Sequence, residues 1–139
     1  MRTITKQSRK KLKRWYNEFC AKIGDQCHSA QILPNFENID FYIDEKDKTK
    51  LAHTDEFICE ICIAGVLLKA FGDKEDWIRF VMDHEFCHFI VLGHEERFRE
   101  LMIKLGYRGA VWLWDYIGVN VFEERLKQLP INKERWCLK

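Results

Sequence analysis

Three of the chain's five histidines lie in one short segment, HEFCHFIVLGH, which runs from residue 84 to residue 94. His84 and His88 are four residues apart, so on a helix their imidazoles lie one turn apart on the same face and can bind one metal ion. Glu85 completes an HExxH pattern. Because successive helical residues are rotated by about 100°, its carboxylate would lie beside the metal rather than on it. The pattern therefore predicts a zinc site with a nearby proton acceptor.

The third histidine of this segment predicts a zinc site of the open, catalytic type. His94 directly follows Gly93, and the backbone freedom of glycine lets the chain reverse and return a side chain to the metal. Three protein ligands, His84, His88 and His94, leave one tetrahedral position of Zn²⁺ for water. The alternative is that these histidines are hydrogen-bonded core residues without a metal.

A zinc site of this kind predicts a hydrolase. Zinc lowers the pKa of a bound water molecule to about 7 and polarises a substrate carbonyl, and Glu85 would be the catalytic base that deprotonates the water. The glutamates Glu123 and Glu124 are alternative sources of a further metal ligand. A hydrogen-bond donor is also expected for the carbonyl oxygen of the substrate, which becomes negatively charged. The candidates, by residue type alone, are Tyr107, Arg108 and Tyr116.

Apolar periodicity predicts the elements that precede the histidines. Apolar residues from Leu12 to Ile23 recur at helical spacing and predict an N-terminal helix. Alternating apolar residues predict a half-buried strand within residues 36–44, and residues 57–63 suit a second strand. Residues 64–71 suit a short helical turn. These elements would form a small, mainly antiparallel sheet with one helix before it.

The histidines themselves are predicted to lie on and just after a helix. Asp73 is a candidate cap for its start, and Gly93 is a candidate end. A second helix is predicted from about Glu95 to Gly106. It would bury Phe98, Leu101, Met102 and Leu105. The segment after residue 107 fits both strand and helix periodicity, and a helix packed over the zinc-bearing pair is the preferred interpretation.

Length and composition predict one domain. The chain has 139 residues, of which 47% are hydrophobic and 32% charged, and this describes an ordered globular protein. The predicted helices and the predicted small sheet together indicate the α+β class. We divide residues 1–139 into a basic N-terminal helix and loop (1–35), a catalytic core (36–107) and a helical or mixed extension (108–139). The six cysteines lie in amphipathic or apolar stretches and are predicted to be reduced. No apolar run suggests a membrane span, and we expect a cytoplasmic protein without a membrane partner.

The histidine segment and the residues after it resemble the SprT-like metallopeptidases, which include the Spartan-type proteases and are similar to the minigluzincin-like domains. The resemblance is specific over residues 81–107 and weaker over residues 36–72. It rests on the HExxH pattern, on His94 after a glycine, on the aromatic Phe98 four residues later, and on a helix that ends near the sequence LGY at 105–107. It implies a zincin-like fold, Zn²⁺ bound by the three histidines, Glu85 as base and a polypeptide substrate. Metzincin proteases are set aside because Val91 stands where they need a glycine.

A basic cluster near the N-terminus raises the question of nucleic-acid binding. Its candidate phosphate contacts are Arg9, Lys10, Lys11, Lys13 and Arg14, and Trp15 and Tyr16 follow directly. The preferred interpretation is the solvated face of an amphipathic helix with an aromatic residue turned inward. The alternatives to a zinc metallopeptidase are therefore a weak nucleic-acid-binding protein with a vestigial zinc site, and a zinc hydrolase that acts on a small molecule.

Overall fold

The computed structural model of this chain describes residues 2–23, 33–47 and 49–127. Their helices are α1 (Lys6–Ile23), α2 (Gly65–Phe71), α3 (Glu75–Cys87), α4 (Glu96–Lys104), α5 (Leu113–Ile117) and α6 (Val119–Lys127), with a short 3-10 helix at Phe36–Asn38. Their strands are β1 (Arg2–Thr3), β2 (Asp40–Asp44), β3 (Ala52–Asp55) and β4 (Glu60–Ala64). The α+β class is confirmed. Most of the loop predicted after the N-terminal helix, up to residue 35, lies outside the described residues, as do the cysteines Cys27 and Cys137.

The four strands form one mixed sheet in the order β1-β2-β4-β3. The central ladder is parallel, since Asp40–Asp44 pairs with Glu60–Ala64, while β1 and β3 pair antiparallel on the two outer sides. A mainly antiparallel sheet was therefore the wrong expectation for its centre. The sequence prediction failed because it did not include β3, whose short polar sequence AHTD gives no clear strand pattern. This strand lies between β2 and β4 in the chain and allows those two strands to run parallel.

The hairpin between β3 and β4 also corrects the predicted start of the second strand. That strand was expected from Phe57, but Phe57 and Ile58 lie in the hairpin turn, where their side chains are 87% and 59% exposed. Cys59 ends this turn in a left-handed conformation with φ of 51°. Sequence hydrophobicity thus misplaced the strand because two apolar residues stand in a solvent-exposed turn.

The core lies between the sheet and the helices, and its centre is aromatic. The apolar face of α1 is buried as predicted, and Tyr16 packs edge-on against Phe86 of α3 with ring centroids 5.0 Å apart. Phe19 packs against the same ring, at 5.5 Å. This contact fixes α1 against α3 and so supports the helix that carries the histidines. None of the described helices combines the length and apolar composition needed to cross a bilayer.

Helix α3 is shorter at its C-terminal end than the sequence predicted. It ends at Cys87, and the next residues are held by tighter bonds from the amides of His88, Phe89 and Ile90 to carbonyls three residues earlier. The prediction that it ends at Gly93 was therefore wrong. Because the chain turns directly after His88, His94 has a shorter distance to cover in returning to the histidine face.

The start of α3 also differs from the sequence prediction. Lys74, not Asp73, is the capping residue, and no side chain caps the helix. The Asp73 carboxylate instead accepts a hydrogen bond from Arg125 of α6, and the same guanidinium donates to the carbonyl of Ala70. A contact 52 residues away in the chain has replaced the local one.

The described part of the segment after residue 107 contains the helices α5 and α6 rather than a strand, and it packs back onto the domain. Phe122 of α6 is fully buried and stacks on Phe71 of α2, with ring centroids 5.1 Å apart. Trp114 of α5 meets the same Phe122 ring edge-on. The last two described helices are therefore part of the same core as the sheet and α3.

Replacing Phe122 with alanine tests this packing. The large cavity left between α6 and α2 should lower the free energy of unfolding by about 3–5 kcal/mol, measured by chemical denaturation. The neighbouring exposed residue provides a control, because Val121→Ala should change stability by no more than about 0.5 kcal/mol. Equal stability of the two variants would show that α6 does not contribute to the core.

Candidate metal centre

Three separate parts of the backbone bring the histidines together. His84 lies in the last turn of α3, His88 is the residue directly after that helix, and His94 lies in the bend before α4. The Nε2 atom of His94 is 3.2 Å from Nε2 of His84 and 3.0 Å from Nε2 of His88. All three ligand atoms lie within 4.8 Å of one another. The predicted ligand set therefore forms one cluster.

Two backbone carbonyls fix the tautomers of the buried His84 and the half-buried His88. The Nδ1 atom of His84 lies 2.6 Å from the carbonyl oxygen of Val111, and Nδ1 of His88 lies 3.0 Å from that of Val91. A carbonyl oxygen can only accept, so each Nδ1 must carry the hydrogen. In the neutral ring Nε2 then presents a lone pair to the centre of the cluster.

This arrangement suits a cation better than a hydrogen-bond network. Nε2 of His94 lies near two acceptor nitrogens, and a single hydrogen on it can be shared with only one of them at good geometry. A tetrahedral ion with metal–nitrogen bonds of 2.0–2.1 Å would separate its nitrogen ligands by roughly 3.3 Å. The two Nε2 distances are close to that value. The residues present therefore fit a metal ion, and the alternative of metal-free core histidines leaves one short contact unexplained.

Burial keeps the three imidazoles neutral, the form that binds metals. Burial, with a smaller contribution from the neighbouring histidines, lowers the pKa of His84 to about 3. Partial desolvation beside the other rings lowers the pKa of His94 to about 4 although part of its side chain is exposed, and burial holds the pKa of His88 below its usual range. Proton competition for the ligand atoms is therefore weak at neutral pH.

Glu85 lies where a base beside the ligands is expected. Its Oε1 accepts a hydrogen bond of 2.7 Å from the hydroxyl of Thr54 on β3, while Oε2 lies 4.0 Å from Nε2 of His84. Burial raises the pKa of this carboxyl to about 7, although the Thr54 hydrogen bond acts in the opposite direction. Thr54 Oγ1 also lies 3.1 Å from the backbone carbonyl oxygen of Glu85. This one strand residue therefore contacts both the side-chain carboxylate and the backbone of Glu85.

The histidines and Glu85 lie in a cleft of about 570 Å³. Strand β3 borders this cleft, and on its far side from β4 no other described strand pairs with it. The residues that line the cleft include Lys50, His53, Thr54, Leu92, Trp112 and Trp114. His53 belongs to β3, and its side chain is exposed.

The three candidates for stabilising a carbonyl oxygen are not brought to the cleft. The Tyr107 hydroxyl donates a 2.5 Å hydrogen bond to the buried Asp83 carboxylate, and burial raises the pKa of Tyr107 well above its usual value. Tyr116 stacks on Phe80 with ring centroids 4.6 Å apart. Neither tyrosine, nor Arg108, is among the cleft-lining residues. Residue type alone therefore could not predict position here.

The alternative metal ligands and the remaining cysteines also lie apart from the cluster. Among the described residues, neither Glu123 nor Glu124 on α6 joins the metal-binding group, and Glu124 pairs with Lys127 at 3.5 Å. The described cysteines are free thiols, as predicted: Cys20, Cys59, Cys62 and Cys87. Cys62 and Cys87 are buried as small apolar residues.

The basic cluster of α1 is largely engaged within the chain. Arg9 donates hydrogen bonds to the carbonyls of Phe36 and Ile39, and Lys11 and Arg14 both approach the carboxylate of Glu75. Lys13 pairs with Glu37 at 2.8 Å, while Lys10 is exposed. Trp15 and Tyr16 are both buried. The predicted inward turn is confirmed, and neither ring is available to stack on a base.

Sequence reasoning missed three residues that support the site, namely Thr54, Val111 and Trp112. Thr54 holds Glu85, the Val111 carbonyl orients His84, and Trp112 packs on the His94 ring with centroids 4.4 Å apart. Only the density of tryptophan in VWLW gave any signal, and it did not indicate which partner the rings contact.

Comparison with known proteins adds no assignment. No family model, characterised protein or solved structure matches this chain. What is known of the site therefore comes from its geometry.

The cluster predicts stoichiometric metal binding that depends on its buried member. Wild-type protein incubated with Zn²⁺ and then desalted should retain about one ion per chain, and His84→Ala should lose most of it because two ligand atoms remain. Elemental analysis measures the ratio. His53→Ala is the matched control, since His53 is exposed and lies outside the cluster. Equal metal content in all three proteins would place the ion elsewhere.

Proposed function

We propose that this protein is a zinc-dependent metallopeptidase in which Glu85 is the general base. One observation carries the proposal: three imidazole lone pairs converge on a point in an open cleft, with the free oxygen of a buried carboxylate 4.0 Å from one of them. Three nitrogen ligands with a further position open to solvent are typical of catalytic zinc sites, whereas structural sites use four protein ligands.

Zinc is the metal proposed because of the donor set. Imidazole binds Zn, Cu, Fe and Ni, and a set of three neutral imidazoles without thiolate or carboxylate is one of the established catalytic zinc sets. A zinc ion held by His84, His88 and His94 would supply Lewis acidity and lower the pKa of a coordinated water molecule to about 7.

Glu85 is suited to moving the proton in such a reaction. Thr54 holds Oε1, which leaves Oε2 directed to the side of the histidines. Burial in this position raises the pKa of Glu85 above the usual range of a carboxyl group, which makes its carboxylate a better proton acceptor. Glu85 would take a proton from the attacking water and pass it to the amine that leaves when the peptide bond breaks.

A polypeptide is the proposed substrate because the cleft is open beside a sheet edge. Strand β3 lines the cleft and has one side without a described partner strand. An extended peptide can add to such an edge through backbone hydrogen bonds, which would position one peptide carbonyl over the histidines. The resemblance to SprT-like metallopeptidases, with the zincin-like fold it implies, belongs to this proposal.

The experiment that tests the proposal separates metal binding from hydrolysis. Glu85→Gln keeps the side-chain shape and removes the base, so it should retain zinc and lose at least about 10²-fold in the rate of peptide cleavage. The assay follows unfolded casein and a mixture of fluorogenic peptides. Glu56→Gln is the control, because Glu56 lines the same cleft without joining the metal cluster.

Two results would contradict the proposal in different ways. Undiminished cleavage by Glu85→Gln would remove Glu85 as the base while leaving the zinc site in place. If the wild type and the Glu56→Gln control both bind zinc and neither cleaves any peptide offered, peptide hydrolysis is not the function.

A further inference from the structure

We infer that Trp112 is a positioning residue for His94, so that the segment just before α5 completes the metal site. This inference rests on the proposed zinc site and concerns how its third ligand is held. The question arises because His94 is the least supported ligand: it lies outside any helix, in the bend between α3 and α4, and its side chain is exposed.

The other two ligands are oriented by hydrogen bonds that His94 lacks. Backbone carbonyls accept from Nδ1 of His84 and Nδ1 of His88. Within residues 2–23, 33–47 and 49–127, no carbonyl or carboxylate accepts a hydrogen bond from Nδ1 of His94. Metal-binding histidines are usually held through the ring nitrogen that does not bind the ion, so another contact must orient this ring.

Aromatic packing supplies that contact. The Trp112 ring lies 4.4 Å from the His94 ring, centroid to centroid, at an interplanar angle of 43°. Phe98 contacts His94 from α4 at 5.1 Å. The His94 ring is therefore packed against the rings of Trp112 and Phe98, which limits its rotation about the side-chain bonds.

Trp112 can hold His94 because its own position is fixed on three sides. Its carbonyl accepts the amide hydrogen bonds of Asp115 and Tyr116 at the start of α5. Its ring stacks nearly parallel on Trp114, at 5.2 Å and 7°, and Trp114 packs on the buried Phe122. The residue before it, Val111, accepts the hydrogen bond of His84.

One short segment therefore acts on two ligands. The Val111 carbonyl sets the tautomer and direction of His84, and the Trp112 ring restrains His94 at 4.4 Å while lying farther from His84, at 5.5 Å between centroids. Trp112 is 37% exposed, and it lines the same cleft as the three histidines. Trp112 acts on the metal through His94 and is not itself a ligand.

Zinc affinity, measured by competition with a chromogenic chelator, tests the inference without an activity assay. Trp112→Ala should weaken zinc binding by about 10-fold or more, the range seen when residues that orient a ligand are removed. Trp112→Phe keeps an aromatic ring and should restore most of the affinity. Tyr116→Ala is the matched control: Tyr116 is 38% exposed, similar to Trp112, but it packs on Phe80 and Tyr107 rather than on a histidine.

A double-mutant cycle separates positioning from general stability. If Trp112 acts mainly through His94, adding Trp112→Ala to His94→Ala should lower zinc affinity by a clearly smaller factor than Trp112→Ala does in the wild type, the remainder reflecting its weaker contact with His84. The same fold loss in both backgrounds would overturn the inference, and so would wild-type affinity in Trp112→Ala. If circular dichroism shows that Trp112→Ala does not fold, Trp112→Leu, which keeps apolar volume without a ring, takes its place. The same loss of zinc affinity is expected, and wild-type affinity in this variant would overturn the inference. Failure of the wild type to bind zinc would overturn the proposed metal site and this inference together.

Discussion

The hydrogen bond from His84 to the carbonyl of Val111 is the interaction on which the centre depends. It is short, at 2.6 Å, and it joins the last turn of α3 to a segment 27 residues further along the chain. By holding the hydrogen on Nδ1, it leaves Nε2 as a lone pair that faces the other two histidines. Without that constraint the ring could rotate or change tautomer, and the three nitrogens would no longer meet at one point.

The Glu85 carboxylate is likewise held by a residue that is far away in the sequence. Glu85 is buried in surroundings that raise its pKa, and its partner is the hydroxyl of Thr54 on the edge strand. The sheet thus holds the Glu85 carboxylate, and the segment of Val111 and Trp112 contacts His84 and His94, while α3 carries Glu85 and His84. The helix supplies the spacing of His84 and Glu85, but the direction of each side chain is set by a partner from another element.

The spacing of residues in the sequence was enough to predict the helices with a clear apolar face and the grouping of the three histidines. The apolar stripes of α1 and α4 are buried as expected, and the spacing of the histidines predicted their cluster. The spacing did not predict the partner of a side chain when that partner is far away in the sequence. Asp73 bonds to Arg125 instead of capping α3, and Tyr107 bonds to Asp83 instead of facing the cleft. Thr54 and Trp112 have no sequence feature that names their partners, because each partner lies far away in the chain.

The position of Val111 and Trp112 so late in the chain has a consequence for the order of events during synthesis. The histidine segment leaves the ribosome before the residues that orient it, since proteins emerge from their N-terminus. For that interval the HExxH sequence is complete but its rings have neither the Val111 carbonyl nor the Trp112 ring beside them. The three ring nitrogens would therefore come together as one cluster only once the segment through α5 has packed against α3.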